Sequence, residues 1–234
     1  MKIYQDEKLI KRNKTIGNVL SFASIAILGT GMFLSFSEKA SEYLPYTFAA
    51  LILGFMVFQV GNFYMLKWGK NPRPDEQLSQ ALKGLDSNYS LYHYKTNIPH
   101  LLVGPAGVFA LLPYNQTGII EYNEARNRWK QKGGNFFLKT FGGESLGRPD
   151  LDSKYTKNDF QKLFKKLDIS AGDYLPQAIL VFTNPKAVVE AESSPVAALP
   201  SDKVKEHIRK QVKTTTAPPE LIAQIKAKLD ETLG

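Results

Sequence analysis

Three histidines, His93, His100 and His207, are the first side chains to test for chemistry. Their spacing matches no metal motif, no H-E-x-x-H is present, and no cysteine is available to complete a mixed site. His100 therefore reads as a satisfied strand residue rather than a ligand. Asp150, Asp152, Asp159, Asp168 and Asp173 are the acids that could gather in space. Clustered carboxylates hold a hard divalent cation, which polarises a phosphate and activates a water. Nothing in the spacing of these acids fixes such a geometry, so a displaced metal site stays an open alternative. Gly142-Gly143-Glu144-Ser145-Leu146-Gly147 has the look of a phosphate loop but lacks the Gly-Lys-Ser/Thr ending and the strand-loop-helix setting. No G-x-S-x-G elbow or kinase signature occurs. The expectation is no cofactor and no resident metal. The lack of cysteine also excludes disulfides and fits a reducing compartment.

The elements that must position any chemistry centre on residues 97–122, NIPHLLVGPAGVFALLPYNQTGIIEY. His100 to Val103 and Val108 to Leu112 are short apolar runs, too short for typical helices. Gly104-Pro105-Ala106-Gly107 between them is turn chemistry, since Pro presets φ and Gly supplies φ > 0. A third strand begins at Gly118-Ile119-Ile120. Strands this apolar require burial on both faces, which predicts the centre of a sheet covered by helices.

The run HLLVGPAGVFAL, followed by Gly118-Ile119-Ile120 and Trp129, resembles the core of the nuclease-related domain (NERD) family, an offshoot of the restriction-endonuclease-like PD-(D/E)XK nucleases. The likeness covers roughly residues 74–210, with its specific part in 98–122. It implies an αβββαβ fold and, in the family, a metal-dependent nuclease site. The framework half of the pattern is present and the chemical half is not. Pro99 stands where the family has an Asp, Leu112 where it has the Glu of E-x-K, and Tyr114 where it has the Lys. A family Glu that opens the helix before the sheet is matched by Glu76. The family's N-P-x-x-Q element is reduced to Arg148-Pro149, with Asp152 at the Gln position. Leu and Pro cannot ligate a cation, a tyrosine is neutral near pH 7, and one carboxylate does not make a magnesium site. The resemblance thus implies a degenerate site with no catalytic residues, and the protein is not expected to be an enzyme.

The rest of the chain places this domain. A formal net charge of +8 and a pI near 9.4 point to an anionic neighbour, lipid or nucleic acid. Residues 1–14 are a basic segment. No charged residue occurs from Thr15 to Ser37 or from Tyr43 to Leu66. Each stretch can cross a hydrocarbon core of about 30 Å, giving a transmembrane hairpin over 15–69 with spans of about 16–36 and 44–66. The first span is too long for a signal peptide, and Ser37-Glu38-Lys39-Ala40 is a poor cleavage site. Lys8, Lys11, Arg12 and Lys14 precede the spans and Lys67, Lys70 and Arg73 follow them, whereas the connecting loop holds only Lys39 with Glu38 and Glu42. The positive-inside rule then puts both termini in the cytoplasm, at the inner or plasma membrane. The spans hold no Asp, Glu, Lys, Arg or His, which argues against a pump or voltage sensor. Gly29, Gly31, Gly54 and Gly61 would let the two helices approach closely.

Pro72 and Pro74 break the second span, and the α/β domain occupies 70–212. A helix is expected from about Asp75 to Leu85, and Thr156 to Leu167 reads as the clearest soluble helix, with Thr156 and Asp159 as a capping box. Residues 213–234 are a linker and an amphipathic C-terminal helix, docked either on the domain or on a partner. Together these readings predict an α/β protein: a two-helix transmembrane hairpin, a cytoplasmic restriction-endonuclease-like αβββαβ domain and a C-terminal helix. The expected role is a membrane-anchored, catalytically inactive module, with the lipid bilayer as one partner and nucleic acid or a membrane protein as the other. The alternatives are an active metal-dependent nuclease with a relocated site and a purely structural scaffold.

Overall fold

The chain separates into two units in a computed structural model that describes residues 1–135, 139–140, 143, 145–214 and 217–233. One unit is Glu7–Arg73; the other combines Met1–Asp6 with Pro74–Gly234.

The first unit is a pair of antiparallel helices, α1 (Glu7–Ser35) and α2 (Ala40–Tyr64), the latter closed by a π-helical turn at Met65–Gly69. At 1.5 Å per residue they are about 43 and 37 Å long. Both are long and apolar enough to cross a membrane, and only 17% and 11% of their most apolar stretches are buried. The packing is inside-out relative to a water-soluble helix pair. Phe22, Phe33, Ile52 and Met56 are more than half exposed, while Gly17, Ser24 and Gly31 of α1 and Thr47, Gly54 and Gly61 of α2 are buried. These small residues recur every seven positions on each helix, the repeat of a left-handed pair. A Cβ on Gly54 would lie 2.7 Å from Leu28, and one on Gly61 would lie 3.2 Å from the Leu20 Cβ; one on Gly29 would touch nothing. Gly31, Gly54 and Gly61 thus meet the expectation of close approach, and Gly29 does not.

The second unit is a three-layer α/β fold. Its main sheet has the order β1-β2-β3-β4-β7-β9, comprising β1 (Lys2–Gln5), β2 (Ser90–His93), β3 (His100–Gly104), β4 (Gly107–Tyr114), β7 (Gln177–Phe182) and β9 (Ala197–Pro200). β2, β3 and β4 form an antiparallel meander; β1, β7 and β9 add in parallel to their neighbours. Side chains alternate across β3 and β4. Leu101, Val103, Val108 and Ala110 face α4 (Pro149–Leu167) and α6 (Pro219–Leu233). Leu102, Phe109 and Leu111 face α3 (Pro74–Ala81) and α5 (Ser201–Gln211) through Leu78, Val204 and Ile208. The central strands are therefore buried on both faces, as their composition requires. The tail helix α6 docks on this unit through Leu221, Ile222, Ile225 and Leu229, each contributing about 1.5–3 kcal/mol when fully buried.

Three features depart from the sequence reading. Within the basic segment 1–14, residues 2–5 are a strand of the main sheet, paired Lys2↔Ser90 to Gln5↔His93, and α1 begins at Glu7. The strands β5 (Gly118–Asn123), β6 (Arg128–Lys132) and β8 (Ala187–Glu190) form a separate sheet of order β6-β5-β8. Helix α4 starts seven residues before Thr156, with Pro149 at its first turn beside Asp150 and Asp152; proline and acids both favour that position. Thr156 is then inside the helix, its Oγ1 donating to the Asp152 carbonyl at 2.8 Å. Part of the glycine-rich run 142–147, residues 142 and 144, lies outside the described residues.

Candidate functional site

Pro99, Leu112 and Tyr114 converge on one cleft. Pro99 precedes β3, and Leu112 and Tyr114 end β4; the antiparallel register Leu101↔Ala110 brings these two strand ends together. β7 runs parallel alongside, pairing Leu112↔Leu180 and Tyr114↔Phe182. Across the opening, α4 contributes Asp152, Tyr155, Thr156 and Asp159, one stripe at i, i+3, i+4 and i+7. The cavity is about 440 Å³, with Ile98, Pro113 and Leu146 among its walls.

The dominant polar contact in the cleft is between Tyr114 and Asp152. Tyr114 Oη donates to Asp152 Oδ2 at 2.5 Å. Burial first, and the bond to Asp152 second, push the Tyr114 hydroxyl well above the usual phenol range. It therefore stays a neutral donor at physiological pH and cannot supply the fixed positive charge of a lysine. Asp150 is held below the ordinary carboxylate range by the hydrogen bond from Arg148, which also pairs with it at 2.8 Å.

Glu76 does not join this constellation. It sits in the first turn of α3 next to Asp75, and Asp75 is the acid that the fold buries completely. Asp75 Oδ2 accepts from Gln5 Nε2 at 2.7 Å, tying α3 to the N-terminal strand. The dispersed aspartates also fail to assemble: Asp152 and Asp159 share the cleft, whereas Asp168 caps α4 in a left-handed conformation. Among the described residues no three His, Asp or Glu side chains come together to hold a metal ion.

A second polar cluster was missed by motif reading because neither of its histidines has metal spacing. The β2–β3 register pairs His93 with His100, and their Nδ1 atoms are 2.9 Å apart. His93 Nε2 lies 2.9 Å from Ser79 Oγ. Both rings are buried, and Tyr94 packs edge-on to His100 at 4.9 Å between centroids. The available signal was positional: a hairpin closing on residues 94–99 sets these two histidines opposite each other. His100 is thus a buried, hydrogen-bonded strand residue, as expected.

Comparison with models of protein families, with curated proteins and with solved structures finds no match to this chain.

Proposed function

We propose that this chain is a membrane-anchored, nuclease-like α/β module that binds a partner at the cytoplasmic membrane face and does not hydrolyse phosphodiesters. The observation that carries the reading is the cleft itself. With β5 and β6, which intervene between β4 and α4 and belong to the smaller sheet, set aside, the elements α3, β2, β3, β4, α4 and β7 follow in the αβββαβ order of the restriction-endonuclease-like fold. At the strand ends where such a nuclease holds its metal, this chain presents Pro99, Leu112 and Tyr114. Among the described residues the two carboxylates of the cleft both come from α4, and one of them already accepts the Tyr114 hydroxyl. A cavity with this lining can bind a ligand but lacks the donor set for two-metal hydrolysis.

The anchor reading rests on the exposed apolar surface of α1 and α2. Large aromatic and aliphatic side chains point outward and Gly17, Gly31, Gly54 and Gly61 inward, the distribution that lipid favours and water does not. The hairpin is antiparallel, so the chain leaves it at the end where it entered. Residues on either side of the hairpin belong to the same sheet, which supports a single cytoplasmic unit.

The test uses the full chain in detergent micelles, incubated with labelled single- and double-stranded DNA and RNA in Mg²⁺ or Mn²⁺. The expected result is no cleavage beyond that given by the Asp152→Asn/Asp159→Asn variant. Metal-dependent cleavage that this double variant abolishes would overturn the non-hydrolytic reading.

A further inference from the structure

The cleft has an electrostatic character opposite to that of a phosphodiester site. Its described lining holds two carboxylates, Asp152 and Asp159, and no lysine or arginine. The nearby Arg148 is engaged by Asp150. Lys162 reaches Asp159 only at 3.4 Å, from a side chain 72% exposed, a contact worth little in water. A phosphate entering here would meet like charge with no counterion.

A second observation concerns Gln116, which lines the same cavity and is 8% exposed. Its Nε2 donates to the Ser145 carbonyl at 3.0 Å, while its buried Oε1 has no hydrogen-bond partner among the described residues. A buried carbonyl oxygen without a donor is costly. The unmet demand in the cleft is therefore for donors. Gln116 Oε1 lacks one, and the Asp152 side chain, with Oδ2 accepting from Tyr114, has acceptor capacity left. Leu112, Pro113 and Leu146 suit an aliphatic stem, and Tyr155, 58% exposed, offers a ring face to a cation at the rim.

We propose that this cleft binds a basic side chain, a guanidinium or ammonium group presented by a protein partner, and rejects nucleic acid. The inference rests on the non-hydrolytic reading of the cleft and names the partner's chemistry. A guanidinium brings several N–H donors on a planar fork, so one group can satisfy more than one acceptor of this lining.

The experiment titrates the full chain in detergent micelles with N-acetyl-arginine amide, N-acetyl-lysine amide, free arginine, the neutral N-acetyl-citrulline amide and the dinucleotide pTpT, with binding read by calorimetry and saturation-transfer NMR. The cationic amides are expected to saturate the protein and the citrulline amide to fail. Asp152→Asn and Asp159→Asn are each expected to weaken binding by about tenfold. Equal binding of citrulline and arginine amides, no effect of either substitution, or competition by pTpT would overturn the proposal. Binding of free arginine but not of its blocked amide would overturn the protein-partner assignment in favour of a free amino acid. Cleavage of nucleic acid by the same preparation would remove the non-hydrolytic reading. Absence of cation binding without cleavage would remove only the present inference.

Discussion

His93 and His100 face each other across β2 and β3 with Nδ1 atoms 2.9 Å apart, so one ring donates the shared proton and the other accepts it. Protonating both Nδ1 atoms would set two N–H bonds head to head. With Ser79 Oγ on His93 Nε2, the arrangement orders the tautomers along a chain from α3 to β3. Replacing His100 by Ala removes the partner of a buried ring nitrogen and is expected to cost about 1–3 kcal/mol. The cost should appear as a lower melting temperature of the detergent-solubilised protein. His207→Gln serves as the control: His207 is only partly buried, its contact with Gln211 is a long 3.5 Å, and a change within about 0.5 kcal/mol is expected there. Equal melting temperatures for the two variants would show that the histidine pair contributes nothing to the fold.

At the level of elements, the two glycine-lined helices and the first strand make separable claims. Thr47, Gly54 and Gly61 are one heptad apart on α2 and are the positions it buries. Gly54→Leu would drive a side chain into Leu28, whereas Gly29→Leu would point into open space. Overpacking of this kind costs about 1–3 kcal/mol, so Gly54→Leu should lower the melting temperature and Gly29→Leu should not. A reversed order would mean that the helices pair through another face. The strand β1 holds its place by parallel pairing with β2, by a stacked Tyr4–Tyr92 pair at 4.8 Å and by the Gln5–Asp75 bond. A chain truncated to residues 70–234 would lose all three and leave β2 as an open edge, a template for aggregation. That fragment is expected to elute as aggregate or to melt well below the full chain. A monomeric fragment as stable as the full chain would mean that β1 is dispensable.

For the whole molecule the decisive property is sidedness. Lys8, Lys11, Arg12 and Lys14 lie in the first turns of α1, and Lys67, Lys70 and Arg73 follow α2, at the same end of the antiparallel pair. The proposed orientation keeps that basic end and the α/β unit in the cytoplasm. The chain has no cysteine, so single cysteines report without background. A membrane-impermeant maleimide should label Ser41→Cys in intact cells and Ser87→Cys only after permeabilisation. The opposite pattern would invert the assignment, and labelling of neither before permeabilisation would argue that the hairpin does not span.

Several features were legible in the sequence because their causes are local. A stretch of about twenty predominantly apolar residues carries its helix signal in its own composition, so α1 and α2 could be read directly. Gly104-Pro105-Ala106-Gly107 closes a hairpin through its own backbone preferences, and the apolar stripe of α6 announces a buried face. The small-residue heptads in the hairpin were also there to read, but they become a signal only once the two helices are set side by side. What the tertiary structure decided is what depends on pairing across distance. The four residues KIYQ at 2–5 are too few to announce a strand, although Ile3 and Tyr4 favour one; they form a strand because β2 offers a free edge. That Asp75 rather than Glu76 is buried follows from the direction α3 faces. That Pro99, Leu112 and Tyr114 share a cleft with Asp152 and Asp159 follows from α4 lying over the strand ends. Register and helix orientation are set by burial summed over the whole unit, which no local stretch of residues contains.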